Sequence, residues 1–183
     1  MKIIPTNLSG SFIIEPMVFE DNRGFFYEFF NTEKFYHNTE ISIQFIQDNL
    51  AKSDKGALRG LHFQKGKFAQ AKLVSVLQGA VLDIIVDIRK DSKTFGQYFS
   101  VELNDKNKKQ LFVPRGFAHA YLCLKDNTLF YYKVDNYYHK ESEGGIIYND
   151  PDLSIDWQFD LSEIILSEKD KKLPLLKDII DDL

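Results

Sequence analysis

Hydrophobic and polar residues alternate with a period of two along much of the chain, a pattern typical of β-strands. Seven such segments lie at 41–48, 58–64, 72–78, 98–103, 109–113, 118–124 and 128–134. Glycine or polar turns separate them, and there is no space for the helices that would connect parallel strands. The pattern therefore predicts an all-β fold, either an antiparallel sandwich or a barrel.

The alternation is clearest between residues 82 and 89. The apolar residues of this predicted strand share one face: Leu82, Ile84, Val86 and Ile88. The polar residues Asp83, Asp87 and Arg89 lie on the other face. Nearer the N-terminus, Asp-Asn-Arg-Gly at 21–24 indicates a turn, because Asn and Gly tolerate positive φ.

Helical patterns are few and lie mostly near the C-terminus. Residues 31–40 predict a short helix capped by Asn31 or Thr32. Segments 162–170 and 173–183 are also predicted to be helical, the second with one apolar face. We expect a single domain spanning 1–183, with 162–183 as a C-terminal helical segment.

Composition supports a β-rich protein and excludes some partners. The 183 residues include 16 Phe and 9 Tyr, which favour strands. The net charge of −4 argues against nucleic-acid or membrane-surface binding. No apolar run reaches membrane-spanning length, so a cytoplasmic protein is expected. The single cysteine, Cys123, lies in an apolar run and is interpreted as a small buried side chain.

The most polar strand is 59–64, with the sequence Arg-Gly-Leu-His-Phe-Gln. Arginine and histidine in an apolar strand require partners. Strand parity places Arg59 and His62 on opposite faces, so they can share one site only if the strand is bulged, and Gly60 permits this. A hydrogen-bonded core histidine is the alternative interpretation of His62.

Three further residues extend the candidate chemistry: Lys72 at the start of a strand, His119 after a Pro-Gly turn, and Tyr132 within a strand. Burial of an aliphatic stem or an aromatic ring is the alternative for Lys72 and Tyr132. No second histidine follows His62 at metal-ligand spacing, so a metal is not expected. The remaining set suits proton transfer, with a base, an acid and a cation for an oxyanion.

The chain resembles the dTDP-4-dehydrorhamnose 3,5-epimerase family, cupin-type (jelly-roll) β-barrel isomerases of dTDP-rhamnose and O-antigen biosynthesis. Motifs that carry the resemblance occur in the family's order. They include Asp-Asn-Arg-Gly-Phe-Phe-Tyr-Glu at 21–28, Gln-Asp-Asn at 47–49, Leu-Arg-Gly-Leu-His-Phe-Gln at 58–64, Gln-Ala-Lys-Leu-Val at 70–74, Val-Pro-Arg-Gly-Phe-Ala-His at 113–119 and Asn-Asp-Pro at 149–151.

The resemblance implies inversion of C3 and C5 of dTDP-4-dehydro-6-deoxy-D-glucose, giving dTDP-4-dehydro-L-rhamnose, without a cofactor. It makes His62 the base, Asp170 its orienting carboxylate, Tyr132 the acid and Lys72 the cation at the enolate oxygen. It also implies a homodimer that exchanges N-terminal strands, with Arg23 and Glu28 reaching the neighbouring subunit's site. The implied substrate-binding residues are Arg23, Glu28, Gln47, Asp48, Asn49, Arg59, Lys72, His119, Tyr138, Glu143 and Lys169.

Departures from the family pattern leave the substrate open. Ala120 and Tyr121 stand where the family continues Gly-Phe, and Ala51 stands where a serine is frequent. None removes a proposed catalytic residue. The alternatives are an enzyme that inverts only C3 or only C5 of a related nucleotide sugar, and a non-catalytic cupin-like protein that binds sugars. A metal-dependent cupin is a less favoured third.

Overall fold

In the computed structural model, which describes all 183 residues, thirteen strands dominate the chain. The first four are short and precede the first helix; most of the others are longer. Their bounds are Lys2–Pro5 (β1), Phe12–Glu15 (β2), Phe19–Asp21 (β3), Gly24–Phe26 (β4), Gln47–Ser53 (β5), Leu58–Gln64 (β6), Lys72–Gln78 (β7), Ala80–Asp87 (β8), Tyr98–Asn104 (β9), Gln110–Val113 (β10), Phe117–Cys123 (β11), Thr128–Val134 (β12) and Glu143–Gly145 (β13).

The strands form two large sheets and one small one. The six-stranded sheet has the order β1-β2-β10-β7-β12-β5, and the five-stranded sheet has the order β13-β6-β11-β8-β9. Every pairing between strands is antiparallel. The prediction of a mainly β, antiparallel fold of the cupin type is therefore confirmed.

Two short α-helices accompany the sheets, α1 at Thr32–Thr39 and α2 at Leu176–Ile179. The side chain of Asn31 caps α1 by accepting a hydrogen bond from the Lys34 backbone N–H at 3.0 Å. This satisfies one of the unpaired donors of the first turn and confirms the predicted cap. No helix of the chain has both the length and the hydrophobicity required to cross a bilayer.

The predicted strand at 41–48 is wrong over most of its length. Residues 41–46 have no strand partner, and β5 begins only at Gln47. The apolar residues Ile41, Ile43 and Phe45 pack against a buried cluster that includes Phe35 of α1. Alternation here reflects burial on one side of an extended segment, whose only backbone hydrogen bond to a neighbouring strand runs from Ile46 N–H to the Val134 carbonyl oxygen of β12.

The predicted helix at 162–170 is also wrong, and the one at 173–183 is only partly correct. Two 3₁₀ turns, Leu161–Glu163 and Asp170–Lys172, flank an extended segment. Ile165 in that segment forms a single parallel bridge with Ala57. The backbone of 164–169 therefore lies along the end of the five-stranded sheet. Of the final segment, only α2 and a terminal 3₁₀ turn are helical.

The core has two main layers. One lies between the sheets and includes Cys123, which is buried as predicted. The other lies between the five-stranded sheet and the C-terminal segment, and it contains Trp157 and the apolar face of β8. The opposite face of β8 was predicted to be polar, yet Asp83 and Asp87 are fully buried. Because both faces of β8 are covered, its polar residues lie inside the protein.

The N-terminal strands divide into two groups. Strand β1 pairs with β2, and β2 pairs in turn with β10 of its own chain. The β3–β4 hairpin forms a separate sheet around the predicted turn. It exposes Phe19, Phe25 and Phe26, the last to 70%. This hairpin is the part of the N-terminal region that pairs with neither large sheet of its own chain.

Candidate active site

A cavity of about 520 Å³ lies between the two sheets and is bordered at one end by the extended C-terminal segment. Both sheets contribute to its walls. Seven of the predicted site residues line it: Arg59, His62, Lys72, His119, Tyr132, Lys169 and Asp170.

Arg59 and His62 share this cavity because β6 is irregular. Across β11, His119 pairs with His62 and Tyr121 pairs with Arg59, so β6 advances one residue further than its partner. Gly60 lies within the irregularity at φ +122°, and a Cβ there would lie 2.5 Å from the carbonyl oxygen of His119. The predicted bulge is confirmed. It turns two residues of opposite parity towards one site.

His62 is oriented by a carboxylate. Its Nε2 lies 2.6 Å from Oδ1 of Asp170, which is only 4% exposed. Burial raises the pKa of Asp170, but the hydrogen bond and charge of His62 outweigh this and hold the pKa below its ordinary value. An ionised carboxylate can only accept, so Nε2 carries the proton. Nδ1 is left with a lone pair that can accept a proton from a ligand.

Lys72, Asp83 and His119 form a buried polar cluster deeper in the cavity wall. Nε2 of His119 lies 3.0 Å from each carboxylate oxygen of Asp83. Burial lowers the pKa of His119 and raises that of Asp83, although their mutual attraction opposes both shifts. Burial also lowers the pKa of Lys72 to about 8, against the attraction of Asp83 and Glu143. Lys72 is therefore a cation at neutral pH that loses its charge readily.

Tyr132 faces His62 from the other sheet. It lies on β12 and lines the cavity, whereas Tyr131 packs outside against Phe29, as the alternation predicts. Burial raises the pKa of the Tyr132 phenol, although the positive charge of Arg59 opposes this shift. The phenol therefore keeps its proton at neutral pH and can donate it.

Strand β5 brings some predicted residues towards the cavity and turns one away. Gln47 and Asn49 share a face with the cavity residue Ala51, and Gln47 Nε2 donates to Asn49 Oδ1 at 2.9 Å. Asp48 has the opposite parity and binds Lys133 Nζ at 2.7 Å on the outside of the sheet. The structure thus corrects the expectation that Asp48 faces the substrate.

A network of three predicted residues lies at the rim. Tyr138, which is 54% exposed, donates from Oη to Glu143 Oε2 at 3.0 Å. The other carboxylate oxygen of Glu143 lies 2.5 Å from Lys169 Nζ. Because Lys169 lines the cavity, this network connects an exposed aromatic ring to the site.

Arg23 and Glu28 do not reach the cavity of their own chain. Arg23 lies in the β3–β4 hairpin and pairs with Asp21, with Nη2 and Oδ2 2.6 Å apart. Glu28 pairs with Lys34 of α1 at 2.9 Å. Their predicted contact with substrate therefore requires a second subunit.

Sequence reasoning missed Tyr121, which lines the cavity, and Asp83, which pairs with the cavity residue His119. An acid in a largely apolar strand was the signal for Asp83, and it was interpreted only as part of the polar face of that strand. No pattern distinguished Tyr121 from the other aromatic residues. No group of three or more His, Cys, Asp or Glu side chains is placed to hold a metal ion.

Comparison with known proteins gives a consistent result. The family model described as dTDP-4-dehydrorhamnose 3,5-epimerase matches residues 5–178. A protein of that name from Escherichia coli K12 is 49% identical over 180 residues, covering 98% of this chain and 97% of its own length.

Solved structures are similar over nearly the whole chain. The crystal structure of dTDP-4-dehydrorhamnose 3,5-epimerase from Elizabethkingia anophelis is 54% identical, with a TM-score of 0.94 and coverage of 97% of both chains. The dTDP-6-deoxy-D-glucose-3,5-epimerase of Legionella pneumophila, in complex with dTDP-4-keto-L-rhamnose, is 46% identical. Its TM-score is 0.92, over 96% of this chain and 93% of its own.

Proposed function

The chain belongs to the dTDP-4-dehydrorhamnose 3,5-epimerase family, and we propose that it inverts C3 and C5 of dTDP-4-dehydro-6-deoxy-D-glucose by proton transfer through an enolate. Both carbons flank the C4 ketone, so their hydrogens are acidic enough for a side-chain base. The observation that carries the proposal is the placement of His62, paired with Asp170, and Tyr132 on opposite walls of one cavity.

His62 removes the proton and Tyr132 returns one from the other side. Asp170 holds Nε2 of His62, which leaves Nδ1 facing the substrate as the accepting atom. The carbon becomes planar in the enolate, so a proton delivered from the opposite face inverts its configuration. Tyr132 suits this step because its phenol is protonated at neutral pH. The same pair serves both carbons in turn, provided that His62 releases its proton to solvent and Tyr132 takes one up between the two inversions.

Lys72 stabilises the negative charge that develops on the C4 oxygen. Its ammonium is held in the cavity wall, where water is largely excluded and a fixed charge acts strongly. His119 lies in the same cluster, and its hydrogen bonds to Asp83 fix the imidazole at the edge of the sugar pocket.

The diphosphate and nucleotide occupy the more open part of the cavity. Arg59 provides a cation for phosphoryl oxygens, and Lys169 adds a second at the rim. Tyr138 presents an exposed ring on which the base can stack, and Glu143 holds its hydroxyl. Gln47 and Asn49 complete the polar wall on β5.

A homodimer completes the site in this proposal. The exposed β3–β4 hairpin inserts into a second copy, so that the partner subunit's Arg23 and the partner subunit's Glu28 reach the substrate. The apolar side chains of Phe25 and Phe26 support this, because large exposed apolar patches mark interfaces. Light scattering of a Phe26→Ser variant tests it; a variant that remains dimeric would contradict this contact.

Deuterium exchange tests the reaction itself. The protein is incubated in D₂O with the keto sugar, and NMR locates the label. We expect label at C3 and C5 for the wild type, none for His62→Ala, and proton loss without productive inversion for Tyr132→Phe. The control is His37→Ala, since His37 lies exposed on α1 beside Glu33 and Tyr36 and does not line the cavity.

Three results would contradict the proposal. Exchange retained in His62→Ala would remove His62 as the base, and full turnover in Tyr132→Phe would remove Tyr132 as the acid. Label at a single carbon in the wild type would indicate an enzyme that inverts one centre. Tight binding of the nucleotide sugar without any exchange would indicate a binding protein.

A further inference from the structure

Tyr121 has no role in the proposed reaction, although its side chain lines the same cavity. The residue is 5% exposed, and its ring stacks on Phe130 with the centroids 3.8 Å apart. It lies directly opposite Arg59 where β11 pairs with β6. Its ring is therefore fixed in the cavity wall beside the guanidinium that is proposed to bind phosphate.

The surrounding hydrogen bonds leave the hydroxyl proton of Tyr121 without a strong acceptor. Arg59 donates to Ser53 Oγ from Nε at 3.2 Å and from Nη2 at 3.1 Å. A serine oxygen has two lone pairs, so these bonds use its accepting capacity. Ser53 therefore offers no lone pair to the Tyr121 phenol. The neighbouring Cys123 sulfur is a weak acceptor.

Arg59 also has N–H groups that make no hydrogen bond. Both of its hydrogen bonds go to the neutral Ser53 and neither goes to a carboxylate. A guanidinium has more N–H groups than these two bonds use. Two adjacent strands thus bring a cation and a cavity-lining hydroxyl close together, each with an N–H or O–H that makes no hydrogen bond. Such a pair matches an anionic oxygen.

We propose that Tyr121 is a substrate-binding residue whose hydroxyl donates a hydrogen bond to the phosphoryl oxygen held by Arg59. This inference rests on the proposed function, because the diphosphate of a nucleotide sugar supplies the acceptor. Burial raises the pKa of the Tyr121 phenol well above its ordinary value. The group therefore remains a donor over the whole pH range in which the protein is folded and active.

The proposed contact predicts an effect on binding and not on chemistry. The phosphate lies away from the carbons that react, so its contacts are the same in the ground state and the transition state. Loss of such a uniform interaction raises KM and leaves kcat unchanged. A hydrogen bond to a charged group contributes enough for its loss to weaken binding by about tenfold.

The test compares Tyr121→Phe with the wild type in calorimetric titrations with dTDP and in steady-state kinetics. Phenylalanine keeps the ring that stacks on Phe130, so the fold is preserved. We expect dTDP to bind about tenfold more weakly and KM to rise by a similar factor, with kcat and the melting temperature unchanged. The matched control is Tyr36→Phe, since Tyr36 lies exposed on α1.

Each opposite outcome is decisive. Wild-type affinity for dTDP in Tyr121→Phe would overturn the inference and leave the epimerase assignment intact. A fall in kcat with unchanged dTDP affinity would also overturn it, because it would place the hydroxyl in the chemical step. If the wild type neither binds dTDP nor exchanges deuterium, both the inference and the proposed function fail.

Discussion

Replacing Lys72 with methionine is expected to stabilise the protein while removing most of its activity. Lys72 lies at the start of β7 with its ammonium in the cavity wall. Burial lowers its pKa from the ordinary 10.5 to about 8, even though Asp83 and Glu143 attract the charge. The folded protein therefore pays an electrostatic cost for a group that its proposed reaction requires.

The size of this cost follows from the two pKa values. A tenfold change in an ionisation constant corresponds to about 1.4 kcal/mol, so the fall from 10.5 to about 8 amounts to about 3 kcal/mol. The cost is complete below about pH 8, where Lys72 is protonated in the folded and unfolded states. It disappears as pH rises from about 8 to 10.5, because the folded state releases its proton first.

Methionine has a similar length and no charge, so Lys72→Met should gain about 3 kcal/mol at pH 7, and the gain should shrink above pH 8. The enolate oxygen loses its cation, and removal of one such group typically costs about 10²- to 10³-fold in kcat. In the wild type, the same titration predicts that kcat falls as pH rises through about 8.

Urea unfolding at pH 7 and pH 9.5 measures the stability, and deuterium exchange measures the activity. The control is Lys52→Met, since Lys52 is exposed on the outer face of β5 and its replacement should give no comparable gain. A Lys72→Met variant no more stable than the wild type at pH 7 would refute the reasoning. So would a gain of equal size at both pH values.

Three other substitutions test separate parts of the structure. Asp170→Asn should lower kcat by about 10²-fold with little change in KM, because a charge-assisted hydrogen bond to His62 is lost; wild-type kinetics would contradict its orienting role. Asp83→Asn should move the alkaline fall in rate below pH 8, since Asp83 raises the pKa of Lys72; an unchanged pH–rate profile would argue against this coupling. Gly60→Ala should prevent folding or lower the free energy of unfolding by more than about 3 kcal/mol, because its Cβ would collide with β11. The control Gly24→Ala is also at positive φ but has open space around it, so it should lower that free energy by about 1–3 kcal/mol. Equal losses in the two variants would show that the close approach of Gly60 to β11 is unimportant.

The central strands could be predicted from the sequence because alternation and paired backbone coincide there. Strands β6, β7 and β12 have the predicted bounds. The errors share one physical cause. At 41–46 and 164–169 the chain buries apolar side chains against the core, while its backbone forms only isolated hydrogen bonds to neighbouring strands and no continuous ladder. Periodicity reports which side of a segment is buried, and it carries no information about the partner of each N–H and C=O.

Most residues of the site could be predicted from the sequence, whereas most contacts between those residues could not. The Gly60 bulge could be inferred because Arg59 and His62 have opposite parity. The contact between His62 and Asp170 spans 108 positions, and nothing local encodes it. The interior position of Asp83 depends on the layer that the six-stranded sheet adds over its face of β8. That layer is a tertiary feature, so alternation alone assigned Asp83 to a face without showing that the face is enclosed.

The proposed base, His62, and the proposed acid, Tyr132, lie on different sheets. This arrangement has a consequence for how related enzymes can come to invert different carbons. His62 lies on the five-stranded sheet and Tyr132 on the six-stranded sheet, so the distance between them depends on the local thickness of the inter-sheet core. That thickness is set by apolar side chains such as Val74 and Ile85, which never contact a sugar. A change of one or two methylene groups in this layer would shift the acid relative to a fixed base. Relatives that invert different numbers of carbons can therefore diverge through core volume, with every polar residue of the site retained.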